Sequence, residues 1–336
     1  MFAEARSAGE AVGRLLRSNM TGLDALVSRL RERPPAVVVT CARGSSDHAA
    51  TYAKYLLESM VGVPVSSAAL SIASVYRAPV AQGSALCVAI SQSGRSPDLL
   101  AGVEAQRRAG ATVLALVNDE TSPLASMADV VLPLCAGPER AVAATKSFIT
   151  SLVAIAMLVA RWTQDRPLAD ALETLPQRLP EGFDLDWSPA VEQLRHARNL
   201  FVLGRGHTFG IAQEAALKMK ETCGLHAEAF SAAEVRHGPM AIVGEGFPIL
   251  GFANSDAAGD GVCVVAGVLA GRGAVVSVAD PSRRVSEGCL PATRTHPAVE
   301  PILMIQSFYR MANELSVRRG FNPDAPPFLS KVTRTV

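Results

Sequence analysis

The sequence predicts an α/β protein built as two tandem, doubly wound parallel-sheet domains of flavodoxin-like type. Three observations carry this. Short, continuously apolar runs alternate with small-residue turns and helical stretches, as expected for strands covered on both faces. The pattern then runs a second time: NLFVLGRG (199–206) echoes PAVVVTCARG, FPILGF (247–252) echoes ALCVAI, and AVVSVAD (274–280) echoes TVLALVND. Finally, 336 residues make about two domains at roughly 150 residues each.

The elements follow in order. Leu15, Leu16, Leu23, Leu26, Val27 and Leu30 recur at helical spacing, which predicts a helix over 2–33, stopped by Pro34-Pro35. AVVVTC (36–41) is too short for a helix and reads as a buried strand. CARGSSDHAA then turns into a helix reaching about residue 60. ALCVAI (85–90) is a strand, SQSGRS a loop and 97–109 a helix. TVLALV (112–117) and ADVVLPL (128–134) are strands, and a long apolar helix over 141–162 closes this half. Prolines 167, 176, 180 and 189 predict a helix over 168–179 followed by an exposed linker. The expected domains are therefore 1–165 and 190–336, with 166–189 as linker. The tail from Asn322, with Pro323, Pro326 and Pro327, should be extended rather than helical.

Composition narrows the function. Apolar residues make up 49% and charged residues 19%, enough for packed cores and unlike a disordered chain. A net charge of +1 with 5% aromatics argues against nucleic acid or an anionic membrane as partner. The longest purely apolar run, 152–160, falls short of the roughly 20 residues of a membrane span. The polar N-terminus, with Glu4, Arg6 and Glu10, does not read as a signal peptide. Six widely spaced cysteines suggest buried free thiols in a reducing, cytoplasmic setting.

Several segments could carry chemistry. Ser91-Gln92-Ser93-Gly94-Arg95-Ser96-Pro97 follows a predicted parallel strand, where open α/β sheets bind ligands. Its serines, its glycine and the free amides of the following helix describe a phosphate cradle; an ordinary polar turn is the alternative. Ser45 and Ser46, in the turn after the first strand, are either polyol or phosphate contacts or helix caps. That turn lacks the glycine spacing of dinucleotide binding, so no nicotinamide cofactor is expected. Glu214, Lys218 and Glu221 stand at i, i+4 and i+7 of one predicted helix. They are either a solvated salt-bridge ladder or a general base beside a cation. His226, Glu228, Glu234 and His237 match no compact metal-ligand spacing, and no metal is expected. His237, alone on a loop, reads more readily as structural. Lys331, flanked by apolar residues, is either part of a frayed tail or an amine of useful reactivity.

Together these motifs resemble the double sugar isomerase (SIS) domain proteins, in particular the isomerase half of glucosamine-6-phosphate synthase. The matching stretches are CARGSSDHA, ISQSGRSPDLL, AATKSFITSL, LGRG, EAALKMKETCGLHAEAFSAAEVRHGP and PPFLSKVT, in the family's order from about residue 41 to 332. The resemblance implies that Ser45, Ser46, Ser91, Gln92, Ser93 and Ser96, with Val142 and Thr145 by the TK loop, bind a sugar phosphate. It implies that Glu221 moves a proton between C1 and C2 with Lys218 assisting. It further implies that His237 opens the sugar ring from a partner subunit and that Lys331 forms a Schiff base with the ketose. A homodimer with shared active sites is thus expected. One carboxylate over two carbons and one near-neutral titrating group suit this chemistry without a cofactor.

The family's STK serine is Ala144 here, and the acidic residue after SQSG is Arg95. The chain shows no glutamine-hydrolysing segment before Met1-Phe2-Ala3, so amino-sugar breakdown is the expected direction. The expectation is conversion of glucosamine 6-phosphate to fructose 6-phosphate and ammonia. Alternatives are a fructosamine-phosphate deglycase, a galactosamine-6-phosphate deaminase or isomerase, and, from another class, a non-catalytic sugar-phosphate sensor.

Overall fold

A computed structural model describes residues 1–331, apart from the side chains at 20–22. The last five residues of the expected extended tail lie outside the described residues. The chain forms two compact units. One comprises Glu10–Glu139, Lys146–Glu173 and the chain from Ser330; the other comprises Met1–Gly9, Arg140–Thr145 and Thr174–Leu329.

Each unit holds a five-stranded, wholly parallel sheet. In the first unit the strands are β1 (Val37–Cys41), β2 (Val65–Ser67), β3 (Ala85–Ser91), β4 (Thr112–Val117) and β5 (Val130–Pro133), in the order β2-β1-β3-β4-β5. In the second they are β6 (Asn199–Gly204), β7 (His226–Ser231), β8 (Pro248–Phe252), β9 (Val275–Ala279) and β10 (Cys289–Leu290), in the order β10-β9-β8-β6-β7. Numbered within its own unit, each sheet reads 2-1-3-4-5, the flavodoxin-like order. β3 and β4 are buried at every residue but the first, because helices cover both faces of a parallel sheet. Leu86 pairs with Val38 and Thr112, fixing the register of the central strands. Cys87, Ala89, Leu99, Val103 and Val113 fill one core; Leu203, Ile249, Val262 and Val278 fill the other.

Four elements differ from the sequence expectation, each for a local reason. The single helix over 2–33 is three helices: Phe2–Arg6, Ala8–Ser18 and Met20–Glu32. At the breaks, Ser7 Oγ donates to the Glu4 carbonyl, and Asn19 Nδ2 donates to the carbonyls of Leu15 and Pro133. Such side-chain bonds compete with helix continuation. The first helix belongs to the second unit, where Gln306 Nε2 donates to the Ala5 carbonyl at 2.8 Å.

The apolar helix starts at Lys146, not 141, and runs to Thr163. The carboxylate of Glu4 takes the amides of Arg140 and Ala141 and holds that stretch out of the helix. Lys146–Thr163 is long and apolar enough to cross a membrane, contrary to the reading from unbroken runs, yet 89% of it is buried within the protein. It packs on Met20–Glu32 and Ser45–Leu56.

The expected linker is helical. Arg166–Phe183 runs through Pro176 and Pro180, and Ser188–Leu194 follows. Leu168, Leu172, Leu175, Leu179 and Phe183 are buried at helical spacing. That stripe outweighs the roughly 3 kcal/mol cost of an internal proline. The fourth difference is that each unit draws on three stretches of chain rather than one. All six cysteines are free; Cys41, Cys87 and Cys223 are fully buried, the other three only partly.

Candidate functional site

In the first unit, β1 and β3 flank the point where strand order reverses, the place where doubly wound sheets bind ligands. The loop after each runs straight into a 12-residue helix, Ser45–Leu56 and Pro97–Arg108. Both helices direct a partial positive charge to this side of the sheet, although much of each first turn is already bonded locally, the Asp47 amide to the Gly44 carbonyl at 2.9 Å and the Leu99 amide to the Asp98 carboxylate at 2.8 Å. Arg43, in the first loop, bonds Asp98 in the first turn of the second helix at 2.8 Å and ties the two loops together.

The SQSGRS loop is folded on its own serine. Ser91 Oγ accepts the Gly94 amide at 2.9 Å. Gly94 has φ +62°, and a Cβ there would lie 2.2 Å from Ser122 Oγ, so only glycine fits. Gln92, Ser93 and Ser96 are half-buried. Ser96 is the N-cap residue and Pro97 the first helical residue, but the Ser96 hydroxyl makes no capping bond. Arg95 turns outward to Asp119 at 2.8 Å. Gly44 occupies the N-cap of the other helix with φ +54°, so Ser45 and Ser46 are its first two residues rather than its cap. Burial raises the Asp47 carboxyl, opposed by His48 and Arg43.

The equivalent corner of the second unit is filled by the chain's own carboxylates. Asp256 caps the helix Ala257–Ala270 by accepting the amides of Ala258 and Gly259 at 2.9 and 3.0 Å. Glu300 accepts the amide and hydroxyl of Ser255, both at 2.7 Å. Arg284 is held by Asp280 and Asp260 at 2.8 and 2.6 Å. The Ser96 hydroxyl makes no capping bond, whereas the Ser255 amide and hydroxyl are already satisfied by Glu300. Ser93→Ala should therefore weaken sugar-phosphate binding by about 1–2 kcal/mol, the scale of a charge-assisted hydrogen bond, while Ser255→Ala leaves it unchanged. Calorimetric titration with a hexose 6-phosphate checks this; equal losses from both would refute the asymmetry.

The carboxylate–lysine motif lies on the helix Phe209–Cys223 of the second unit. It is no solvated ladder. Glu214 is fully buried and Lys218 is 1% exposed, whereas the Glu221 side chain is 21% exposed. Lys218 Nζ lies 3.2 Å from Glu214 Oε1 and 2.6 Å from Glu221 Oε2. Tyr309, also buried, donates its hydroxyl to Glu214 at 3.1 Å. Burial pushes the Lys218 ammonium down, but the two carboxylates outweigh it and hold the group above its ordinary value. Lys218 is thus a permanent cation, anchored from behind by Glu214, with Glu221 at the accessible end.

His237 ends the short 3-10 turn Glu234–His237 and is exposed. With Arg205 and Arg236 it lines an open cavity of about 490 Å³. Among the described residues it makes no hydrogen bond or ion pair with Lys218 or Glu221. His226, Glu228 and Glu234 are exposed, and no group of three or more His, Cys, Asp or Glu among the described residues is placed to hold a metal. Thr145 is buried immediately before the helix Lys146–Thr163, and the Val142 amide donates to the Asp324 carbonyl at 3.2 Å. In the first unit Lys331 Nζ lies 3.3 Å from Glu139 Oε2. Sequence reasoning missed Glu139, Tyr309 and the Arg43–Asp98 tie. The only prior signal for Glu139 is its place a few residues before the TK loop.

The chain as a whole is similar to known proteins. The SIS domain profile matches residues 35–161 and 193–282. The glutamine–fructose-6-phosphate aminotransferase (isomerizing) of Symbiobacterium thermophilum is 33% identical over 95% of this chain and 56% of that protein. The chain thus spans about half the length of the curated relatives it matches. A solved structure from Silicibacter pomeroyi, provisionally named a phosphosugar isomerase, is 44% identical with a TM-score of 0.92, covering 96% of this chain and 99% of that one. The C-terminal domain of glucosamine-fructose-6-phosphate aminotransferase from Francisella tularensis is 26% identical with a TM-score of 0.86, covering 96% and 97%.

Proposed function

Because the chain belongs to the SIS domain family, we propose that it is a phosphosugar isomerase acting on an amino sugar phosphate, converting glucosamine 6-phosphate to fructose 6-phosphate and ammonia. The observation that carries this reading is the buried Tyr309–Glu214–Lys218–Glu221 chain, which ends in one accessible carboxylate. Aldose–ketose interconversion needs a base that takes a proton from C2 and returns it to C1, and a single carboxylate can do both. Lys218 supplies a fixed positive charge beside it, where the C1 oxygen of the enaminol intermediate develops negative charge. The SQSGRS loop and the two helix N-termini hold the phosphate. His237 supplies the imidazole that opens the ring. The product of the proton shift is a ketose imine, which water hydrolyses to the ketose and ammonia.

Relatives named as isomerizing aminotransferases and a 44% identical phosphosugar isomerase by provisional name support the reaction class. A non-catalytic sensor would have no use for a buried ammonium aimed at an accessible carboxylate. The test is release of ammonia and ketose from a panel of hexosamine phosphates, with fructosamine phosphates alongside. Release from glucosamine 6-phosphate supports the proposal. Cleavage of fructosamine phosphates alone would replace it with a deglycase, and no turnover of any sugar phosphate would overturn it.

The working unit in this reading is a homodimer in which His237 serves the neighbouring copy. Mixing inactive His237→Ala chains with inactive Glu221→Gln chains should then restore activity, since one site of the mixed dimer holds both intact residues. Absence of rescue, with subunit exchange shown by mass spectrometry, would count against sharing.

A further inference from the structure

Lys331 and Glu139 belong to the same unit, and their contact has more structure than a surface ion pair. The Glu139 carboxylate is closed to solvent, while Lys331 keeps 26% of its side chain exposed. Ser147 fixes the carboxylate from the first turn of the helix Lys146–Thr163. Its amide donates to Oε1 at 3.2 Å and its hydroxyl to Oε2 at 2.6 Å. Oε2 then also receives Lys331 Nζ at 3.3 Å. A helix N-terminus favours the ionised form of such a group. The result is a buried, oriented carboxylate in contact with a partly exposed amine.

We propose that Glu139 is a catalytic residue, the base and acid that makes Lys331 a Schiff-base nucleophile toward the ketose. The proposal rests on the reading of Lys331 as the amine that meets the ketose carbonyl. An ammonium cannot attack a carbonyl. Glu139 takes one proton from the Lys331 ammonium, and the freed lone pair forms the Nζ–C2 bond. The C2 oxygen collects a proton from that nitrogen and becomes a hydroxyl. Glu139 then returns its proton to this hydroxyl, the C2–O bond breaks and water leaves. The iminium that remains carries the positive charge the ammonium had, and the Glu139 carboxylate again faces it. No proton is lost or gained in the sum: three on nitrogen become one on nitrogen and two in water.

The competing explanation is that Glu139 merely clasps the tail. The two differ in sign and in pH response. Removing a neighbouring carboxylate makes an amine easier to deprotonate, which by itself would speed attack; lost proton transfer slows it. The experiment incubates the full chain with fructose 6-phosphate and sodium cyanoborohydride, which reduces the Schiff base to a stable secondary amine, and follows the adduct by peptide mass spectrometry. We expect label on Lys331, at least tenfold slower in Glu139→Gln at pH 7, with the difference narrowing as the solution is made alkaline, because hydroxide can take the proton that Glu139 otherwise takes. Ser147→Ala, which keeps the carboxylate but removes its hydroxyl donor, should be slowed severalfold; it serves as the test if Glu139→Gln fails to fold, and a wild-type rate would then overturn the proposal. Trapping in Glu139→Gln at the wild-type rate, or slowed equally at every pH, would also overturn it, as would label on Lys146 instead. No trapping in the wild type, with proton exchange at C2 intact, would remove this inference and leave the isomerase reading standing.

Discussion

Glu221→Gln should abolish most turnover while leaving sugar-phosphate affinity intact. Glutamine keeps the shape of the side chain and a hydrogen-bonding oxygen for Lys218, but it cannot accept the C2 proton. A general base contributes about 10²–10⁴-fold, so kcat should fall by that factor with KM little changed. The Lys218–Glu221 contact at 2.6 Å is at the half-exposed end of the helix, so the substitution should cost little stability. The direct measurement is deuterium incorporation at C2 of the substrate in heavy water. Wild type should exchange the C2 proton and the variant should not. Product formation at full rate in Glu221→Gln, without C2 exchange, would rule out the proton-transfer assignment.

Lys218→Met should destabilise the fold more than any other single change at the site. Lysine and methionine have similar length, so the expected loss is not a cavity. It is the stranding of Glu214, which is fully buried and has Lys218 at 3.2 Å. Removing one partner of a buried ion pair typically costs about 3–5 kcal/mol, because the remaining charge is left without compensation. The hydroxyl of Tyr309 softens this but carries no charge. Urea denaturation should show a lower midpoint for Lys218→Met and near-recovery in the double variant Lys218→Met with Glu214→Gln, which removes the stranded charge. Equal destabilisation in single and double variants would show that packing, not charge, dominates.

The site divides by what a linear pattern can carry. Helical spacing put Glu214, Lys218 and Glu221 on one face, since i, i+4 and i+7 meet regardless of what surrounds the helix. Whether that face met water or interior was open. The helix Glu300–Arg318 decides it by covering the face and bringing Tyr309 to Glu214. The same limit applies to Glu139. Its partner Lys331 is 192 residues away in sequence, and no local pattern links them. Ser45 and Ser46 illustrate a smaller failure. Their capping role was a reasonable reading of residue type, but Gly44 takes the N-cap with a positive φ.

By itself, the sequence determined the two α/β repeats, the parallel strands and the loop at which the first repeat departs chemically from the second. These depend on short-range periodicity and residue type, which act within ten or so positions. Tertiary structure alone decided which helices broke, which prolines were absorbed and how each unit recruited distant stretches. The N-terminal helix ended at Ser7 because of a local hydroxyl bond, but it joined the second unit because Gln306 reaches the Ala5 carbonyl. Pro176 and Pro180 stayed inside a helix because its buried leucine stripe contributes more than the lost backbone bonds cost. Tertiary structure also decided how the second repeat's corner differs in its hydrogen bonding. Glu300, 45 residues beyond Ser255, returns to occupy its amide and hydroxyl, and a donor already paired with a buried carboxylate has nothing left to offer a phosphate.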